Sequence, residues 1–347
     1  MRRTDMKRVG RMIALAPLAL ALFVPRASAA SCVNATYAIA ELPGIGGPVT
    51  QALALAEDGT VAGWGLDAAW VSHALHWSDG QVTTLSSATS AAAGISSNGV
   101  VAGWQSGRRG TQGSTWSPAL TTLRAPRGSI GAQAADVNQN GLAAGWSFNS
   151  IGDTSAVSWN GTRPTSLVSG SGAPTISLAI AVNDAGTIVG RGDFGSAPFR
   201  RALAWVGRSM TVLPSLGDGV DSATGISQSG LITGAGLSPV DSKFHAVIWN
   251  GNTVTDLGLF GAHPTSGWSV NSCGTVVGDA VVDVVDDETE AVIWQGGAEA
   301  LALESLIPSA HGWDLHTARA INDAGAIVGY GFRSGQSGIR AFMMTPA

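Results

Sequence analysis

The chain has 347 residues, 47 of them Gly, 12 Trp and 2 Cys, with 12% charged side chains and a formal net charge of −5. So little charge, together with 45% apolar residues and a mean hydropathy of +0.21, excludes a disordered chain, which needs few apolar groups and a large net charge. Abundant Gly without a three-residue period excludes a collagen-like helix.

Residues 1–29 read as an export signal. Arg2, Arg3, Lys7, Arg8 and Arg11 form a basic start, residues 12–24 are apolar and uncharged, and Ala27-Ser28-Ala29 supplies small residues for cleavage. The apolar run is shorter than the ~20 residues a membrane span needs, and Pro17 interrupts it. Cleavage after Ala29 therefore leaves residues 30–347 as one domain in a secreted or periplasmic setting. The signal carries six of the 19 Lys/Arg and one of the 24 Asp/Glu, leaving 13 and 23, a net of −10. Lys243 is the one Lys that remains. No basic patch survives to hold nucleic acid or an anionic membrane.

From residue 57 onward one phrase recurs seven times. Glu57-Asp58-Gly59-Thr60-Val61-Ala62-Gly63 is the first copy and Asp323-Ala324-Gly325-Ala326-Ile327-Val328-Gly329 the last. The first Gly of each copy falls at 59, 99, 141, 186, 230, 274 and 325, a mean period of about 44 residues. Each of the first six copies is followed by a strand ending in Trp77, Trp116, Trp159, Trp205, Trp249 or Trp294. A polar turn and a strand ending in Leu85, Leu123, Leu167, Leu213, Leu257, and Leu301 or Leu303, come next. Four short strands per unit, Gly-rich turns and no helical periodicity outside the signal predict an all-β, seven-bladed propeller of four-stranded antiparallel blades.

The first Gly of each phrase suits a hairpin that needs positive φ. The second lies within a strand, where its missing side chain admits another backbone or a ring. The recurring Trp is the expected neighbour, serving as a packing plate between blades. The seventh unit stops at its third strand, with Met344 in the Trp position. The unmatched strand at residues 37–42 is predicted to supply the missing fourth strand and close the ring.

These phrases resemble the HAF-repeat family of secreted bacterial proteins, named for a His-Ala-Phe step before the Trp. His73-Ala74 and His245-Ala246 keep the first two positions and Ala341-Phe342 the last two. Gln112, Ser155, Arg201, Glu290 and Arg340 hold the His position elsewhere. The resemblance covers residues 35–347 and implies export and architecture; it transfers no catalytic residue and no cofactor.

Motif by motif, little chemistry survives. Residues 190–195 match G-x-G-x-x-G, but a dinucleotide fingerprint must open a helix, and Pro198 and a strand follow here. His311 and His316 flank Trp313 and Asp314 with a spacing that puts the two rings on opposite faces of a strand, against a zinc pair. Asp283, Asp286, Asp287 and Glu288, near Asp279 and Glu290, form an acidic loop that is a weak calcium candidate and matches no EF-hand. His73 and His245, at a position polar in every unit, are expected to face solvent.

Two functions follow. The first is a monomeric recognition scaffold holding a carbohydrate or secreted protein on the face of its long, variable loops. Trp70, Phe194, Trp268 and Trp313 are the candidate contacts, with plugging of the channel or packing under their own loops as the other reading of those rings. The alternative is a polysaccharide hydrolase or lyase with paired carboxylates at the channel mouth, for which Asp67, Asp153, Asp193 and Asp241 are the candidates. Cys32 and Cys273 are expected to form one disulfide in an oxidising compartment.

Overall fold

The computed structural model describes residues 36–347 except 109, 169–171, 196–199, 218, 284, 286–287, 298 and 309–311. Seven four-stranded antiparallel sheets form the blades of a seven-bladed propeller. Their innermost strands are Gly46–Leu55, Ser90–Ile95, Gly131–Val137, Ile176–Val182, Asp221–Ile226, Thr265–Val270 and Trp313–Ile321, which number blades one to seven. In blades one to six the chain steps outward through four consecutive strands.

Blade seven closes the ring as the sequence predicts. Its inner three strands are Trp313–Ile321, Ile327–Arg333 and Arg340–Pro346, and its outermost is the N-terminal strand Tyr37–Glu41. Tyr37 pairs with Pro346, Ile39 with Met344 and Glu41 with Phe342. Arg333 and Gln336 both reach the Glu41 carboxylate, tying the two ends of the chain by charge as well as by ladder bonds.

Apolar packing lies between blades, with one cluster at each of the seven junctions. At the junction of blades two and three, Ala102 and Leu123 of one sheet meet Ala132, Val157 and Trp159 of the next. The indole N–H of Trp159 donates to Arg124 O at 2.8 Å; Trp77, Trp249 and Trp294 donate likewise to Pro43 O, Pro214 O and Leu257 O. Each of these Trp thus plugs onto the segment that follows the outer strand of the preceding blade. Burying one such ring is worth roughly 4–6 kcal/mol in transfer alone. That exceeds the ~1–3 kcal/mol cost of an unpaired donor, which explains how Trp116 and Trp205 remain buried with Nε1 unbonded. Met344 fills the same place in blade seven, and Leu303, not the exposed Leu301, is the buried Leu of blade six.

The repeated turns also tie several blades to their neighbours. In blade three Asn138 N donates to Leu142 O and Gly141 N to Asn138 O, a three-residue loop in which Gly141 takes φ +76°. Asn138 Oδ1 accepts from its own turn while Nδ2 donates to Asn183 O of the next blade at 2.9 Å. Asn183, Asn271 and Asn322 repeat that bond to Ser227 O, Asn322 O and Ala56 O, the last crossing the closing seam.

Two expectations need correction. The second Gly of each phrase does not make room for Trp. A Cβ on Gly145 would stand 2.1 Å from Gln133 O of its own inner strand, and Gly63, Gly103, Gly190, Gly234, Gly278 and Gly329 face the same carbonyl in their blades at 1.9–2.1 Å. His73 and His245 are buried, not exposed, because each is folded under the loop that precedes it.

Candidate functional site

The close Gly contact marks a β-bulge, and the bulge decides what faces the central channel. In every blade the pairing of the two inner strands slips by one residue opposite that Gly, between Ala134 and Asp136 in blade three, for example. A bulge leaves one residue unpaired and re-aims its side chain. The seven residues so released are Leu53, Ala93, Ala135, Ile180, Thr224, Trp268 and Arg319, and all seven line a central cavity of about 1110 Å³.

A second ring comes from the residue after the bulge-facing Gly. Trp64, Trp104 and Trp146 occupy it in blades one to three, Arg191 in blade four and Ala235 in blade five, and each lines the cavity half-buried. Three adjacent blades thus present an arc of indoles that ends at the Arg191 guanidinium. Asp279 and Tyr330 hold the position in blades six and seven. Trp268 Nε1 donates to Asp279 Oδ2 at 2.7 Å, and the Arg319 guanidinium lies 4.0 Å over the Trp268 ring. Burial pushes the Asp279 carboxyl up, opposed by the Trp268 indole and the Arg319 charge.

The short-turn end of the channel is acidic. Glu57, Asp184 and Asp323 stand at the short-turn end. Burial raises Glu57 above the usual carboxylate range, and the charges of Asp323 and Asp184 add to it against a bond from Asp323 N. Arg200 lines the cavity toward the long-loop end together with Phe244 and Pro264, and it pairs with Asp193 at 3.4 Å. In the wall between, Asp136 Oδ2 accepts from Val182 N of the next blade at 2.9 Å and Oδ1 from Val137 N. Burial pushes its carboxyl up to about 7 against those two bonds.

The four rings singled out from the sequence are not brought together. Trp70 is 70% exposed on a loop tip, in the left-handed region at φ +65°. Phe194 packs on the cluster between blades three and four. Trp268 and Trp313 belong to inner strands, not to long loops; Trp313 is buried, edge-on to Phe342 with centroids 5.9 Å apart. Of the four, only Trp268 reaches the channel.

The loop carboxylates are engaged locally. Asp67 accepts from Ala69 N and Val71 N, which together with His73 hold it below the ordinary Asp range. Asp241 accepts from Lys243 N and from His245, whose other nitrogen meets Asp256 at 2.8 Å. Asp153 lies against Asn149 and Asp193 against Arg200. His316 sits 3.6 Å from Asp314 and edge-on to Phe332, and His311 lies outside the described residues. So do Asp286, Asp287 and Cys32; Asp283 Oδ1 accepts from Val285 N, and no group of three metal-binding side chains occurs among the described residues. No described helix is long and apolar enough to cross a membrane.

The fold and channel define the class of the molecule: a closed propeller with a lined central cavity. No family model and no curated protein matches the chain. Among solved structures it resembles the β-propeller domain of the Trilobed protease from Pyrococcus furiosus at TM-score 0.57 and 10% identity, over 90% of this chain and 94% of that one. YCF48, solved bound to D1 peptide, matches at TM-score 0.52 and 11% identity over 92% of this chain and 100% of its own. TolB from Acinetobacter baumannii matches at 0.51 and 11%, over 84% and 67%. At such identities the likeness is one of fold.

Proposed function

We propose that this chain is an exported recognition scaffold that holds a carbohydrate or a segment of a secreted protein in its central channel. The observation that carries the reading is the arc of Trp64, Trp104 and Trp146, three indoles at equivalent positions whose half-buried faces line one cavity. Blade packing accounts for Trp77, Trp159 and their equivalents, but it does not call for a second Trp on the channel side. Apolar cavities with a few placed polar groups are the usual form of ligand sites, and indoles suit both sugar rings and peptide side chains. YCF48, of similar fold, was solved with a peptide bound.

Binding fits better than hydrolysis, because Asp67, Asp153, Asp193 and Asp241 each serve their own loop and do not pair across the channel. In the same reading the chain is a HAF-repeat protein, and the signal at residues 1–29 delivers it beyond the inner membrane. The test is a screen of purified residues 30–347 against glycans and secreted proteins, repeated with Trp104→Ala. Binding that falls at least tenfold in the variant supports the channel; binding unchanged in the variant refutes it.

A further inference from the structure

The seam between blades three and four differs from the rest of the channel wall. Here the arc of indoles ends at Trp146 and the next position is Arg191. Arg191 and Arg200 line the central channel and also a side cleft of about 290 Å³ formed with Thr154, Ser177 and Asp193. The cluster holds two guanidiniums and one carboxylate, so it carries a net positive charge inside a protein whose mature chain is strongly acidic. Asp193 engages Arg200 at 3.4 Å, while the Arg191 guanidinium, on a strand paired on both sides, makes no hydrogen bond or ion pair with any other described residue. Burial and the Arg200 charge both act against the Arg191 cation, with Asp193 opposing them. A half-buried guanidinium with no hydrogen-bond partner among the described residues is costly, and a planar carboxylate accepting two of its N–H bonds is its best complement.

The remaining wall specifies what else the ligand carries. Trp146 pairs across the ladder with Gln133, and both line the channel beside Ile180 and Leu178. An indole face next to a primary amide suits a ring with one apolar face and hydroxyls at its edge. The acid-lined short-turn end, with Glu57, Asp184 and Asp323, disfavours an anion entering there and leaves the long-loop end as its approach.

Resting on the recognition reading above, we propose that the seam is an anion subsite that takes the carboxylate of an acidic sugar on Arg191 and Arg200, with the sugar ring on Trp146. A sugar is favoured over an acidic peptide because the wall offers a flat ring and side-chain amides.

The experiment is calorimetric titration of residues 30–347 with a tetrasaccharide of galacturonic acid, its methyl ester and tetraglutamate. The ester keeps the rings and removes the charge. The acid is expected to bind at least tenfold more tightly than the ester. Arg191→Gln should cut that preference below about threefold while leaving ester binding in place, and Trp146→Ala should weaken both. Arg200→Gln serves as a second variant, with melting temperature as the check on folding. Equal affinity for acid and ester overturns the anion subsite and leaves the recognition reading standing. Tetraglutamate binding in place of the sugar overturns the sugar class. If none of the three probes binds, the subsite is wrong, and the recognition reading is decided by the separate screen.

Discussion

Gly145 faces the bulge of blade three, and replacing it by Ala tests the device that builds the channel. A Cβ there would lie 2.1 Å from Gln133 O, 2.9 Å from Ala134 Cα and 3.0 Å from the Gln133 carbonyl carbon. Relaxed C···O contacts are ~3.3–3.6 Å, so the inner strand must retreat by about 1.2 Å. Strands in a sheet sit ~4.8 Å apart and bond across that gap, so a retreat of this size strains the ladder on both sides of the bulge. Overpacking at ~1–3 kcal/mol, with one or two ladder bonds at ~1 kcal/mol each, gives a loss of about 2–5 kcal/mol. Gly141, four residues earlier, is the control: its φ is +76° and nothing lies within 4 Å of an added Cβ. Left-handed strain alone costs ~1–2 kcal/mol. Urea unfolding of the two variants, followed by Trp fluorescence, should therefore lower the midpoint two- to three-fold more for Gly145→Ala than for Gly141→Ala. Equal midpoints would refute the reasoning, since the bulge contact would then carry no energetic weight.

Three further outcomes are expected. Deleting residues 30–42 removes the outer strand of blade seven and the Glu41 partner of Arg333, so melting should lose cooperativity or solubility; an unchanged melt counts against closure as a source of stability. Unreduced, exported protein should show a Cys32–Cys273 bridge by mass spectrometry, and two free thiols would disprove it. Asp136, raised by burial, binds its proton more tightly folded than unfolded, so its contribution is most favourable below the unfolded pKa and is lost as pH rises toward about 7. The stability of wild type relative to Asp136→Asn should accordingly fall between pH 4 and pH 8, whereas a constant difference would contradict the assignment.

The blade count, the closure at residues 37–42 and the packing Trp were legible because each rests on a period that a single sequence displays. The channel was harder to see. Its lining depends on a one-residue slip between two strands, and alternation along either strand alone does not record that slip. The sign of it was present in the strand Gly at 63, 103, 145, 190, 234, 278 and 329, whose tight neighbour proved to be an inner-strand carbonyl instead of a ring. The signal for a site lay one residue further on. Trp64, Trp104, Trp146, Arg191, Ala235, Asp279 and Tyr330 vary freely within an otherwise regular phrase, as residues do where packing imposes no common side chain. His73 and His245 were misjudged because polar identity was taken for exposure. Both rings lie beneath loops, where carboxylates, and for His73 also the carbonyl of Ser86, satisfy their nitrogens. Asn138, Asn183, Asn271 and Asn322, one residue ahead of the repeated phrase, went unnoticed although they link blade to blade.

Fluorine NMR of the chain labelled with 5-fluorotryptophan, titrated with the strongest binder from the screen, most directly asks whether the channel is the site. Each of the 12 Trp gives its own resonance, assigned by single substitution. Binding in the channel should shift Trp64, Trp104 and Trp146 and leave the buried packing residues Trp77, Trp159, Trp205, Trp249 and Trp294 unmoved. Shifts confined to Trp70, at the exposed loop tip, would place the partner on the outer face and contradict a channel site.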